Sequence, residues 1–159
     1  LRKIAAPMYL GLDLRGGVHF LMEVDMDAAL TSAEERFVPD WKRLVRGEKI
    51  RGTSIQHKDD ELSARFREVA SRDKMLPLFR ENAIDLEFVT SEEGEYAYIV
   101  ANLTEDAARE EQRSALQQNI VTLRNRINEL GVSEPVIQQQ GVDRIVVQLP
   151  GVQDTARAK

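Results

Sequence analysis

The residues best suited to chemistry stand near the N-terminus, in the stretch YLGLDLRGGVHFLMEVD at residues 9–25. Asp13 and Arg15 directly precede a Gly16-Gly17 pair and an alternating apolar run. An arginine beside a glycine-rich loop can hold a phosphate, as in small ferredoxin-like acylphosphatases. However, the loop sequence of those enzymes is not matched, and the stretch lacks the Lys and Ser or Thr of a P-loop. We therefore expect a structural corner, in which the glycines permit close backbone approach and the two charged residues pair locally.

Metal and cofactor chemistry have little support elsewhere in the chain. His19 and His57 fall in different predicted strands without a second His or Cys at ligand spacing, and the chain has no cysteine. The paired acids Asp59-Asp60 and Glu92-Glu93 fall in predicted turns, where polar residues are common. We expect no catalytic residue, no metal and no cofactor.

Composition excludes further classes of function. The net charge is −5, and 22 Lys and Arg are scattered among 27 Asp and Glu, which argues against a nucleic-acid surface. The aromatic pair that stacks bases on RNA-binding sheets is approached only by Tyr96 and Tyr98, which lie outside the predicted first sheet. No window reaches the roughly 20 apolar residues of a spanning helix. Because the chain starts at Leu1 and ends within a predicted helix, we expect it to be part of a longer protein.

The first half of the chain predicts the elements that would position these residues. Residues 1–17 form a lead-in, and residues 18–90 read as strand, helix, hairpin, helix and strand. Apolar residues from Leu30 to Leu44 recur at helical spacing, but Pro39 predicts a kink or a break within that stripe. The hairpin turns across residues 58–60. This βαββαβ order is typical of the α+β ferredoxin-like fold, with helices on one face of an antiparallel sheet.

The second half, residues 95–159, begins the same pattern again. A strand is followed by a long helix capped by Thr104 and ended by Gly131, with an apolar stripe from Leu116 to Leu130. Two further strands, PVIQQQ and RIVVQL, follow the helix and give the order βαββ. We predict that this second unit is incomplete and that GVQDTARAK begins its missing helix.

The strand PVIQQQ offers a different kind of function. Its polar residues predict an exposed strand that an extended peptide could join as an extra strand. The alternative is a strand face in contact with water only. The candidate peptide edge comprises Val136, Ile137, Gln138, Gln139 and Gln140.

Two long motifs resemble a known family. The stretch at residues 9–25, together with NIVTLRNRINELGVSEPVIQQQGVDRIVVQLPGVQDTARAK at 119–159, closely resembles the proteobacterial SecD family of Sec protein-export membrane subunits. Between residues 28 and 114 the resemblance to this family extends only to the order of secondary-structure elements. The positions that match the family pattern are Gly11, Asp13, Leu14, Arg15, Gly16, Gly17, Gly131, Glu134, Pro135, Asp143, Arg144, Pro150 and Gly151.

The resemblance implies a role in protein export. SecD belongs to the resistance-nodulation-division superfamily of inner-membrane proteins and acts with SecF beside the SecYEG channel. It uses the proton gradient to help move unfolded preproteins. The chain would be the base of the first periplasmic domain, joined to the membrane through segments outside residues 1–159 and acting as a rigid lever. The alternatives are a peptide-binding module and a periplasmic domain of another transporter of this superfamily.

Overall fold

The computed structural model describes residues 18–58, 61–132 and 134–149. Within these residues it contains seven strands and four helices, and all the strand pairs are antiparallel. The predicted α+β class is therefore confirmed. The elements are β1 (Val18–Glu23), α1 (Met26–Glu35), α2 (Phe37–Gly47), β2 (Ser54–Lys58), β3 (Glu61–Phe66), α3 (Val69–Asn82), β4 (Leu86–Glu93), β5 (Tyr96–Leu103), α4 (Glu105–Glu129), β6 (Val136–Gln140) and β7 (Arg144–Leu149).

The chain divides into two compact units. Unit 1 comprises residues 1–26 and 112–159, and unit 2 comprises residues 27–111. Unit 2 is thus inserted in the sequence of unit 1, and the boundary at 111/112 falls within α4. These bounds differ from the predicted division at residues 18–90 and 95–159.

Unit 1 contains a three-stranded sheet in the order β1-β7-β6. Paired residues of neighbouring strands share a face, so Phe20 and Met22 lie on the same side as Val147 and Ile145. That side packs against the apolar stripe of α4. The buried cluster contains Val24, Leu116, Ile120, Leu123, Ile127, Ile145 and Val147.

Unit 2 contains a four-stranded sheet in the order β2-β3-β5-β4. Alternate residues of its strands are apolar and lie on one face of the sheet. This face packs against helices α2 and α3 and forms a separate core. Trp41 of α2 stacks on Phe79 of α3 at 4.2 Å between ring centroids. The buried cluster contains Trp41, Val45, Ile55, Leu62, Ala64, Phe66, Met75, Phe79, Ala83, Leu86, Ile99 and Ala101.

The pairing of β1 corrects the predicted arrangement of strands. We predicted that β1 shares a ferredoxin-like sheet with the next three strands, but it pairs with β7 along its whole length. β5 instead takes a central place in the sheet of unit 2. The βαββ order β1-α4-β6-β7, with β7 between β1 and β6, is the split β-α-β arrangement, and unit 2 interrupts it. An alternating pattern indicates a strand with one buried face but carries no information about its partner.

The prolines also change the predicted helices. The predicted stripe from Leu30 to Leu44 is broken at Arg36, and Pro39 lies in the first turn of α2, where its missing N–H leaves no helical bond unmade. α3 begins at Val69, so Pro77 lies inside this helix. The helix consequently lacks the hydrogen bond that residue 77 would donate.

Helix α4 largely follows the prediction. Thr104 caps it, because its Oγ1 accepts a hydrogen bond from the Ala107 N–H at 3.2 Å. The buried stripe ends at Ile127, whereas Leu130 is 78% exposed. Leu130 lies beyond the last helical residue, so its side chain no longer follows the buried face.

Candidate functional site

The two family-like motifs converge on the paired strands β1 and β7. Residue 17 directly precedes β1 and residue 150 directly follows β7, and the first and last residues of these strands, Val18 and Leu149, are partners in register. Several motif positions lie outside the described residues: Gly11, Asp13, Leu14, Arg15, Gly16, Gly17, Pro150 and Gly151. The two motif segments are therefore adjacent in sequence to strands that pair with each other.

Asp143 and Arg144 lie at the opposite end of this strand pair. The Val24 N–H donates to the backbone oxygen of Asp143 at 2.7 Å, which extends the pairing one residue beyond β1. Arg144 is the register partner of Glu23, and its Nε lies 3.7 Å from Oδ1 of Asp143. Leu21, Glu23, Asp143 and Arg144 line a half-open pocket at this end. The Asp-Arg motif thus fixes the β6–β7 turn against the end of β1.

Gly131 ends helix α4 as the sequence predicted. Its φ is +72°, its N–H donates to the Asn128 oxygen at 2.9 Å, and the Val132 N–H donates to the Ile127 oxygen at 3.4 Å. This pair of bonds is the Schellman arrangement, which satisfies helical carbonyls that have no partner within the helix. Val132 also packs against the buried cluster that contains Ile127. Gly131 therefore turns the chain out of α4 toward β6.

Glu134 and Pro135 lie between this turn and β6. Glu134 has a φ of +55°, a left-handed conformation that an L residue other than glycine adopts at a cost. Such strained residues persist where the surrounding structure holds them in place. The sequence marked Glu134 only by resemblance, because nothing in its residue type predicts this conformation.

The candidate peptide edge lies at one side of the sheet of unit 1. In the described part of the chain, β6 pairs with β7 only, so its outer backbone edge has no strand partner. Val136 is 42% exposed and residues 138–140 are exposed, whereas Ile137 packs against the core. The side-chain amide of Gln139 donates to the Gly141 oxygen at 2.8 Å. Strand edges of this kind can accept an extended peptide.

A buried polar network in unit 2 was not predicted from sequence. Glu34 of α1 accepts a hydrogen bond from the Leu103 N–H at 3.0 Å, and its other oxygen lies 2.7 Å from Nε2 of His57. The side chains of His57 and Glu34 are 6% and 10% exposed. The sequence did contain a signal, because Glu34 lies four residues after Leu30 on the apolar side of its helix. His57 therefore has a hydrogen-bond partner, Glu34, within unit 2.

Arg72 forms a second network that joins α3 to β4. Its guanidinium donates to Asp73 at 2.8 Å and to Glu92 at 3.0 Å. The hydrogen bond to Asp73 raises the pKa of Arg72, burial opposes this effect, and the hydrogen bond to Glu92 raises the pKa further. Both networks connect secondary-structure elements.

The described residues contain neither a metal-binding cluster nor a membrane-spanning helix. In the ranges 18–58, 61–132 and 134–149, no group of three or more His, Asp or Glu side chains is placed to hold a metal ion. Within the same ranges, no helix combines the length and the apolar character needed to cross a bilayer.

Comparison with known families assigns both motifs. Residues 116–159 match the family described as "Protein translocase subunit SecDF, P1 domain, N-terminal", and residues 4–28 match the "SecD/SecF GG Motif". These matches define the class: the chain is part of a Sec protein translocase subunit and includes the N-terminal part of a P1 domain. The chain belongs to the SecD family, as the resemblance predicted.

The relatives show how much of the family protein the chain represents. It is 45% identical to the protein translocase subunit SecD of Pseudomonas aeruginosa over 100% of the chain and 26% of the relative. It is 46% identical to SecD of Escherichia coli and 43% identical to SecD of Haemophilus influenzae. Each of these two alignments covers 98% of the chain and 25% of the relative. The chain therefore spans about a quarter of their length. No solved structure matches the chain.

The extent of the matches follows the division of the chain. Both family matches fall mainly on unit 1, and residues 29–115 lie outside them. The relatives nevertheless align through this middle segment. Unit 2 is therefore shared with these relatives although the two family matches do not include it.

Proposed function

We propose that unit 1 is the base of the periplasmic P1 domain of a SecD subunit and acts there as a rigid lever. In this role it transmits movement between the membrane segments and the rest of the domain during proton-driven translocation of preproteins with SecF and SecYEG. The observation that carries the proposal is the register of β1 with β7. The segments that hold the two motifs flank one continuous strand pair, so a displacement of one segment acts directly on the other through backbone hydrogen bonds.

The packing of unit 1 supports a rigid lever. The β1–β7 pair is backed by the buried stripe of α4, and Asp143 and Gly131 fix the turns that connect these elements. Closely packed cores deform little and move as bodies. The names of the relatives support the translocation role, and they favour SecD over another transporter of the superfamily.

A disulfide between β1 and β7 tests the rigid lever. Leu21 and Val146 are register partners on the sheet face opposite the α4 core, and antiparallel partners lie about 4.5–5.5 Å apart between Cα atoms, within the range of a disulfide. Because the chain has no cysteine, the variant Leu21→Cys/Val146→Cys in a full-length SecD forms only the intended bond within this chain. We expect preprotein translocation to be unchanged after oxidation, because a lever moves with β1 and β7 still paired.

The two single-cysteine variants serve as controls for oxidation itself. A loss of translocation that occurs only in the oxidised double variant and is restored by reduction would show that β1 and β7 separate during the cycle. That result would refute the rigid lever.

A peptide-binding role is the second candidate function, and the unpartnered outer edge of β6 is the observation that favours it. If β6 receives preprotein, titration of the ¹⁵N-labelled chain with an unfolded, export-competent polypeptide will produce saturable shifts at the backbone amides of residues 136–140. The reason is that strand addition forms hydrogen bonds with the outward-facing N–H groups of Ile137 and Gln139 and changes the surroundings of the neighbouring amides. The matched control is Gln139→Pro, because the register directs the Gln139 N–H to the outer edge of β6, whereas the Gln138 N–H faces β7. An absence of shifts up to about 1 mM polypeptide, equivalent to about −4 kcal/mol, would exclude this role for the chain.

A further inference from the structure

A basic pocket in unit 2 lies between the second half of α2 and the start of β2. Lys42 and Arg46 are four residues apart on α2 and therefore share a face of the helix. Gly52 and Thr53 approach from the segment that leads into β2. Together with the apolar residues of its floor, the pocket is lined by Lys42, Val45, Arg46, Ile50, Gly52, Thr53 and Ile55.

Among the described residues, the two cations of this pocket have no counter-ion, whereas neighbouring cations do. Arg43 is paired with Asp40 at 2.8 Å, and Lys74 is paired with Glu48 at 2.7 Å. Across the part of the chain that the structure describes, neither Lys42 nor Arg46 has an ion pair. No described carboxylate therefore pairs with the positive charge in the pocket, although the chain as a whole is acidic.

Thr53 provides an independent observation. Its Oγ1 is buried and has no hydrogen-bond partner among the described residues. Buried polar atoms are nearly always paired with protein or with an ordered molecule. Because Oγ1 itself has almost no exposed surface, an anion in the pocket reaches this donor only when the Thr53 side chain rotates.

Arg67 adds a third cation beside the pocket. Its side chain lies against Gly52, where an added Cβ would be 2.7 Å from Nε and 2.8 Å from Cδ of Arg67. Gly52 has a φ of +72°, which favours glycine, and a Cβ at this residue would force the Arg67 side chain to shift. The absence of a side chain at residue 52 lets Arg67 approach the pocket lining.

We propose that this pocket binds a phosphate group, borne either by a free phosphate ester or by a phospholipid headgroup. Lys42 and Arg46, which have no ion pair in the described part of the chain, and Arg67 beside Gly52 suit a dianion better than a singly charged carboxylate. Charge-assisted hydrogen bonds from Lys and Arg, together with a Thr hydroxyl, match the several oxygens of a phosphate. Val45, Ile50 and Ile55 form the apolar floor against which the carbon chain of an ester packs. The site is distinct from the motifs of unit 1.

Two plainer explanations predict different results. Arg46 lies in the last turn of α2, where the helix dipole favours a cation without any ligand. A water molecule could satisfy Thr53. In both cases phosphate would have no specific effect.

Titration of the ¹⁵N-labelled chain with inorganic phosphate tests the proposal, with sodium chloride and sodium acetate at matched ionic strength as comparisons. We expect saturable shifts at the amides of residues 42–53 with phosphate only. The variant Lys42→Ala/Arg46→Ala is expected to weaken phosphate binding at least about tenfold, because it removes two charged hydrogen-bond donors. Lys74→Ala, which removes a paired cation, is expected to leave the affinity unchanged. Equal shifts with chloride would indicate screening, and equal shifts with acetate would indicate a carboxylate site, so either result overturns the proposal.

Thr53→Val separates the phosphate site from a water site by its effect on stability. Valine has nearly the shape of threonine but lacks the unpaired hydroxyl, so we expect equal or higher resistance to urea in phosphate-free buffer together with weaker phosphate binding. Lower resistance with unchanged phosphate affinity would mean that water satisfies Thr53, and would overturn the proposal.

Vesicles distinguish the two sources of phosphate. Shifts of the same amides with phosphatidylglycerol vesicles, absent with phosphatidylcholine vesicles and reduced in Lys42→Ala/Arg46→Ala, would identify a lipid headgroup. Shifts with inorganic phosphate alone would identify a free phosphate ester. If neither probe affects these amides, the pocket is not a phosphate site.

Discussion

Phe79→Ala is expected to lower the free energy of unfolding of unit 2 by about 3–5 kcal/mol, the usual cost of removing a buried aromatic side chain. Phe79 is fully buried in the core of unit 2 and stacks on Trp41 with an interplanar angle of 8°. The substitution removes this stacking contact and leaves a cavity between α2 and α3. Trp41 is the only tryptophan of the chain, so its fluorescence during urea unfolding reports the change directly.

The matched control is Ile84→Ala in the same unit. Ile84 is 84% exposed, and its truncation is expected to change the unfolding free energy by less than about 0.5 kcal/mol. Similar losses for the two variants would contradict the assignment of Phe79 to the core. A shift of the Trp41 emission in folded Phe79→Ala, absent in Ile84→Ala, would confirm that the two rings are in contact.

The local elements of this fold were largely predictable from the sequence, whereas the partners of the strands were not. Thr104 and Gly131 mark the ends of α4 because capping depends on residues within one or two turns. The pairing of β1 with β7 joins residues more than 120 positions apart, such as Val18 and Leu149. No local pattern records such a choice, so sequence order alone suggested the wrong neighbours for β1.

The insertion of unit 2 explains why the predicted repeat was misplaced. The split β-α-β order is present, but its first strand and its helix are separated by a complete α+β unit with its own core. In sequence order β1 directly precedes the elements of unit 2, so the order alone groups β1 with them. The same order of elements is compatible with both arrangements.

The candidate sites, like the strand partners, were only partly predictable from local sequence patterns. Asp143 was marked by resemblance alone, whereas Gly131 was also predicted as the end of α4, and the structure gives each a local bonding role. The basic pocket was not predicted, because Lys42 and Thr53 are brought together by the packing of α2 beside β2. Charged residues on an exposed helix face ordinarily indicate contact with water, and the buried hydroxyl of Thr53, which has no partner among the described residues, became evident only in the structure.

Glu34→Ala is expected to lower the free energy of unfolding by about 3 kcal/mol, more than any substitution of an exposed carboxylate in this chain. Glu34 joins the Leu103 N–H to His57, and both of these groups lose their partner when the carboxylate is removed. A buried polar group without a partner retains its full desolvation cost. Glu34→Gln keeps an oxygen for the Leu103 N–H and is expected to cost less.

Glu35→Ala is the matched control, because Glu35 is the next residue of α1 and is exposed. Urea unfolding followed by Trp41 fluorescence gives the order Glu34→Ala, Glu34→Gln and Glu35→Ala, from largest to smallest loss. A double-mutant cycle with His57→Ala measures the coupling, and we expect the double variant to lose less than the sum of the two single losses. Equal losses at Glu34 and Glu35 would show that water replaces the carboxylate, and Glu34 would then have no part in holding α1 to the sheet.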